Sequence, residues 1–143
     1  MATKTDRKCL LLLQKKALRI IYNKNRQEHC DPLFHDMGIL SVENQILFEI
    51  SKFMHFLKYY SKPVYFIDAW ILNNNRNIHY NLRRTEDFFI PLIRNATILR
   101  KPLYFFASTW NSLDPAVSQE AERKIFINKL KAHFFSQLDY INC

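Results

Sequence analysis

The densest gathering of side chains that could do chemistry is Glu28-His29-Cys30-Asp31, followed closely by His35-Asp36. Histidine, cysteine and carboxylate are the common metal ligands, and the five residues between His29 and His35 are just within the H-x3–5-H spacing of structural zinc sites. The rest of the pattern does not. Cys30 adjoins His29, no C-x-x-C pair accompanies them, and Asp31-Pro32 reads as a helix start that would separate the two histidines. Asp31 is then expected to act as a cap, and no metal or other cofactor is expected. Cys9, Cys30 and Cys143 are few and widely spaced, as free thiols of a reducing compartment would be.

Other chemistries are limited by a single count. Among 143 residues there is one glycine, Gly38. A Gly-rich phosphate cradle and a Gly-flanked nucleophile elbow both need more. Two-metal nucleotidyl chemistry needs converging carboxylates, and no Asp-Asp pair occurs. The chain is therefore not expected to be an enzyme by itself.

Charge offers a different kind of site. The formal net charge is +8. Residues 1–26 hold eight bases against one acid, Asp6, so nearly all of the excess lies in one helix-length segment. On a helical wheel from about Asp6 to Asn23, Lys8, Lys15, Lys16 and Arg19 fall on one side. Leu10, Leu13, Ala17, Leu18, Ile20 and Ile21 fall opposite and are expected to be the packed face, with Leu12 among the bases. Such a basic flank suits phosphate backbone. A membrane-surface helix fits less well, because no Trp or Phe lies on the apolar face. A second basic set, Arg76, His79, Arg83, Arg84, Arg94, Arg100 and Lys101, interleaves with Tyr80, Phe88 and Phe89, the mixture used by single-strand binders.

These side chains need elements to hold them. At 48% apolar the chain is long enough for a core, and the scarcity of glycine argues against a many-stranded barrel or sandwich. The expectation is a mainly α, single domain over 1–143 with four to five helices. Its helical N-terminal part covers 6–72, an Asn-rich loop 73–77, and a mixed C-terminal part 78–143. A helix from Pro32 should stop at Gly38 in the left-handed conformation. Ser41 should cap a long helix to about Tyr60, on which Val42, Ile46, Ile50, Phe53 and Leu57 recur at helical spacing. Pro63 to Leu72 reads as a further short helix. Residues 87–106, rich in β-branched and aromatic types, read as a short β-strand pair. Asp114-Pro115 repeats the cap-plus-proline signal, and Phe126, Leu130 and Phe134 mark a closing helix over about Gln119 to Leu138. No apolar run approaches the roughly 20 residues of a spanning helix or forms a secretory signal, so the expectation is a soluble, intracellular protein, cytoplasmic or nuclear.

The order of short motifs is more telling than any one of them. The chain reads LQKKALRII (Leu13–Ile21), DPLF (Asp31–Phe34), GIL (Gly38–Leu40), YNLR (Tyr80–Arg83), STWNSL (Ser108–Leu113) and FINKLKAHFF (Phe126–Phe135). This series resembles the C-terminal region of LINE-like (non-LTR) retrotransposon polyproteins, downstream of the reverse transcriptase fingers, palm and thumb. The resemblance covers about Leu10 to Leu138. One departure is Asp114, which stands between Leu113 and Pro115 where the family has Leu-Pro directly.

The resemblance implies a transposable-element protein whose parent is an RNA-directed DNA polymerase. The palm's Asp-Asp motif is absent here, so this stretch would be its non-catalytic part. Its partners would be RNA or RNA/DNA hybrid backbone and the polymerase thumb. Lys8, Lys15, Lys16 and Arg19 are the expected phosphate contacts, with Arg83 and Arg84 secondary. The competing expectation is a structural or protein-interaction fragment that docks on the thumb and binds no nucleic acid of its own.

Overall fold

A computed structural model describes residues 3–73, 86–92, 95–99 and 101–139. The protein is mainly helical: α1 (Lys4–Ile21), α2 (Asp31–Met37), α3 (Val42–Tyr60), a 3-10 helix (Val64–Ala69), α4 (Ala96–Leu99), α5 (Pro102–Asn111), α6 (Pro115–Ser118) and α7 (Arg123–Asp139). That is more helices than expected: the four-residue helices α4 and α6, and α5, which begins in the segment expected to be extended, add to the others. Among the described residues of 87–106 the expected strand pair is not formed. Among the described residues the only extended pairing is an isolated antiparallel bridge, Leu72 with Phe88. Pro102 stands in the first turn of α5, where its missing N–H costs nothing, and this start signal outweighs the β-branched and aromatic propensity that follows it.

The chain divides into two compact units, one of residues 49–127 and one of residues 2–48 with 128–143. In the second of these, Leu18, Cys30, Leu33 and Phe34 form the core, with Leu11, Tyr22 and Phe135 packed against it. α1 begins at Lys4 with Thr3 as its cap, ahead of the start expected near Asp6. The Thr3 hydroxyl accepts from the Asp6 N–H, and the Asp6 carboxylate accepts from the Thr3 N–H, a reciprocal capping box. The Thr3 hydroxyl and N–H hold the Asp6 carboxyl below its ordinary range. α2 ends at Gly38 with φ of 63°, the left-handed conformation that glycine adopts without a Cβ penalty. Its N-terminus departs from expectation: Cys30 is the cap residue, no side chain caps it, and Asp31 is already helical.

Gln14 joins α1 to the start of α3. Its Nε2 donates to the Leu40 carbonyl at 2.9 Å, and its Oε1 accepts from the Val42 N–H at 2.9 Å. Val42 is the first residue of α3, so its N–H is one of the donors a helix cannot satisfy internally. Ser41 serves the same terminus as expected, accepting from the Asn44 N–H.

The other unit is built on aromatic contacts. His55, on α3, stacks on Phe126 with centroids 4.0 Å apart, and Trp110 of α5 lies 5.9 Å from the same ring. Trp70 stacks parallel to Phe106, and its indole N–H donates to the Leu103 carbonyl at 2.8 Å. Asn111 grips the backbone of Phe88 from both sides: Oδ1 accepts from the Phe88 N–H at 3.0 Å, and Nδ2 donates to its carbonyl at 2.8 Å. Asp114 caps α6 by accepting from the Ala116 N–H. Asp114, standing between Leu113 and Pro115, therefore has a local structural task.

Candidate nucleic-acid interface

α1 is rotated about its axis relative to the expectation from its leucines. The flank that packs carries Leu11, Leu18 and Tyr22, with Gln14 and Lys15 half-buried beside them. Leu18 is 2% exposed. The other residues expected in the packed face, Leu10, Leu13, Ala17, Ile20 and Ile21, are exposed, with Leu13 at 60% and Ile20 at 80%. Gln14 is the physical reason. Two hydrogen bonds to the α3 N-terminus fix which side of α1 faces inward, and a count of apolar residues contains no such directional term.

The four expected phosphate contacts do share a flank. At about 100° per residue, Lys15, Lys8, Arg19 and Lys16 span a sector of roughly 100°. Lys8 and Lys16 are exposed, while Lys15 and Arg19 are half-buried. Among the described residues no carboxylate pairs with any of the four; the ion pairs are Lys24–Glu28, Lys52–Glu49 and Lys58–Glu86. Arg19 is held in place, with Nε and Nη2 donating to the Glu28 carbonyl at 3.1 and 3.0 Å. A neutral carbonyl orients the guanidinium without cancelling its charge. Arg7 lies on the packed side, where its Nε is buried without a hydrogen-bond partner.

The second basic set is placed only in part. Arg83 and Arg84, with Arg76, His79, Tyr80, Arg94 and Arg100, lie outside the described residues, whereas Lys101 is exposed. Phe88 is not an exposed stacking platform. It is 2% exposed and packs edge-on against Trp110.

The potential ligands between Glu28 and Asp36 are dispersed. The Cys30 thiol is buried and donates toward the Lys15 carbonyl, His29 is exposed, and His35 packs against Phe135. Among the described residues no three His, Cys, Asp or Glu side chains are grouped to hold an ion. A cleft of about 280 Å³ lies in the 49–127 unit, lined by Lys58, Asp68, Trp70 and Phe88 among others. Lys58 is engaged there, donating to the Glu86 carbonyl at 3.1 Å and pairing with its carboxylate at 3.3 Å.

His55 was not singled out by the sequence. It is 1% exposed, and its Nε2 lies 2.9 Å from the Glu120 carbonyl, a partner that requires the Nε2–H tautomer. Burial holds its pKa below the ordinary histidine value; the Glu120 carbonyl opposes the shift, and the Arg123 and Lys58 charges add to it. Its ring is stacked in the aromatic core, so it acts there as a structural polar group.

No known protein family matches this chain, and neither does any curated protein or solved structure. Among the described residues no helix is long and apolar enough to cross a membrane.

Proposed function

We propose that this chain is a non-catalytic accessory region of a non-LTR retrotransposon reverse transcriptase, which grips RNA or RNA/DNA hybrid backbone through the basic flank of α1. The observation that carries the reading is the grouping of Lys8, Lys15, Lys16 and Arg19 in one sector, with no carboxylate partner among the described residues. Cations that are not neutralised internally release counterions from a polyanion when they bind it. The ordered motif series from Leu13 to Phe135 supports the parentage, and Arg83 and Arg84 are assigned secondary contacts.

The direct test is the salt dependence of one variant. Lys15→Gln removes one charge, so the plot of log affinity against log salt should flatten by about 0.7 to 0.9, the range from single strand to duplex. Base preference should not change, because phosphate contacts carry no sequence information. An unaltered slope would remove Lys15 from the interface.

A further inference from the structure

The residues that α1 leaves exposed are spaced as a seam. Leu10, Leu13, Ala17 and Ile20 follow one another at intervals of three, four and three, the a/d pattern of two heptads, and Ile21 extends the stripe at an e position. None is needed by the core of its unit, which α1 reaches through Leu11, Leu18 and Tyr22 on another flank. Contiguous exposed apolar residues of this kind mark interaction surfaces.

Three occupants fit an apolar helical stripe: a second copy of this chain, a lipid surface, or a helix of another protein. The first is opposed by charge. Residues 1–26 carry seven of the eight net positive charges, Lys16 stands at the g position beside the seam, and a second copy would bring the same charges against it. The second is opposed by composition, because the stripe has no Trp or Phe to sit at the headgroup level.

We infer that the Leu10–Leu13–Ala17–Ile20 seam docks an amphipathic helix of a partner protein whose apolar a/d residues are flanked by Asp and Glu. Knobs-into-holes packing along two heptads supplies the register. Acidic flanks meeting Lys16 and the surrounding positive field supply the selection for this partner class. Ala17 leaves room at the middle of the seam, so a large side chain of the partner is accommodated there. The seam and the basic flank share α1 but use different residues, apart from Lys16 at their border.

The test uses the full chain and two labelled three-heptad helical peptides, identical at a and d and carrying Glu or Lys at e and g. Anisotropy titration should show the Glu peptide binding about tenfold or more tightly than the Lys peptide. Leu13→Asp and Ile20→Asp should each weaken the Glu peptide by a similar factor. Both positions are exposed, so circular dichroism and the thermal midpoint should stay as in the parent chain. RNA binding by the neutral variant Leu13→Gln, which adds no charge beside Lys16, should keep its salt slope. Equal binding of the two peptides, no binding of either, or binding unaffected by both substitutions would overturn the inference. So would a concentration-dependent dimer in sedimentation that Leu13→Asp abolishes, or capture of the chain by phosphatidylserine vesicles through Leu13 and Ile20 with no peptide binding.

Discussion

Truncating Leu18 and Leu13 to alanine, one at a time, tests which way α1 faces. The two leucines lie on the same helix and within the same expected apolar face, but their exposures are 2% and 60%. Leu18 packs in a core with Cys30, Leu33 and Phe34, so Leu18→Ala loses both the transfer energy of its methyl groups and the contacts around the cavity left behind. The cost should be about 2–5 kcal/mol. Leu13→Ala removes side chain that is mostly in water and should stay within about 0.5 kcal/mol. For a urea m-value of about 2 kcal/mol per molar, the midpoint of Leu18→Ala falls by roughly 1–2.5 M, while that of Leu13→Ala barely moves. Equilibrium urea unfolding followed by circular dichroism measures both. A Leu13→Ala loss as large as that of Leu18→Ala would show that α1 packs through its leucine-rich side after all.

Gln14→Leu should destabilise by about 1–3 kcal/mol in the same assay, because the Val42 N–H and the Leu40 carbonyl both lose their partner; a neutral result would deny Gln14 its orienting role. Below neutral pH the unfolded chain takes up a proton at His55 before the folded one does, since the folded pKa is depressed. Stability from this group is complete above about pH 6.5 and declines as pH falls from there towards the folded value, by at most about 1.4 kcal/mol per pH unit. His55→Gln should lose that part of the pH dependence between pH 7 and 5 in urea melts, and an unchanged profile would contradict it. Asp114→Ala removes the α6 cap and should cost about 0.5–1 kcal/mol, read as a lowered thermal midpoint.

Some helix starts and stops were legible from single residues, though Asp31 is no cap and α1 is capped by Thr3 ahead of Asp6. Gly38 ends α2 in the left-handed region, Ser41 serves the start of α3, Asp114 caps α6, and Phe126, Leu130 and Phe134 are all buried on α7. The segment 87–106 was misread because aromatic and β-branched residues suit either a half-buried strand or a packed helix, and tertiary contacts decide between them. Phe53 and Trp70, remote in sequence, pack on Phe106, and Trp110 packs on Phe88. The rotation of α1 was hidden for a related reason. A polar residue, Gln14, orients the helix by bonds to Leu40 and Val42, and the wheel counts it only as polar. The basic flank was legible because the positions of Lys8, Lys15, Lys16 and Arg19 on a helix follow from spacing alone, but the anchoring of Arg19 by the Glu28 carbonyl depends on the turn after α1.

The proposed role depends most on whether the cationic side of α1 meets a polyanion. Titrating the full chain with single-stranded RNA and an RNA–DNA hybrid over a range of salt concentrations measures this directly. Four phosphate contacts give a log–log slope of roughly −3 to −4, and a triple change of Lys8, Lys15 and Lys16 to Gln reduces it to about −1. Affinity that ignores salt, or a triple variant that binds like the parent, would contradict the account.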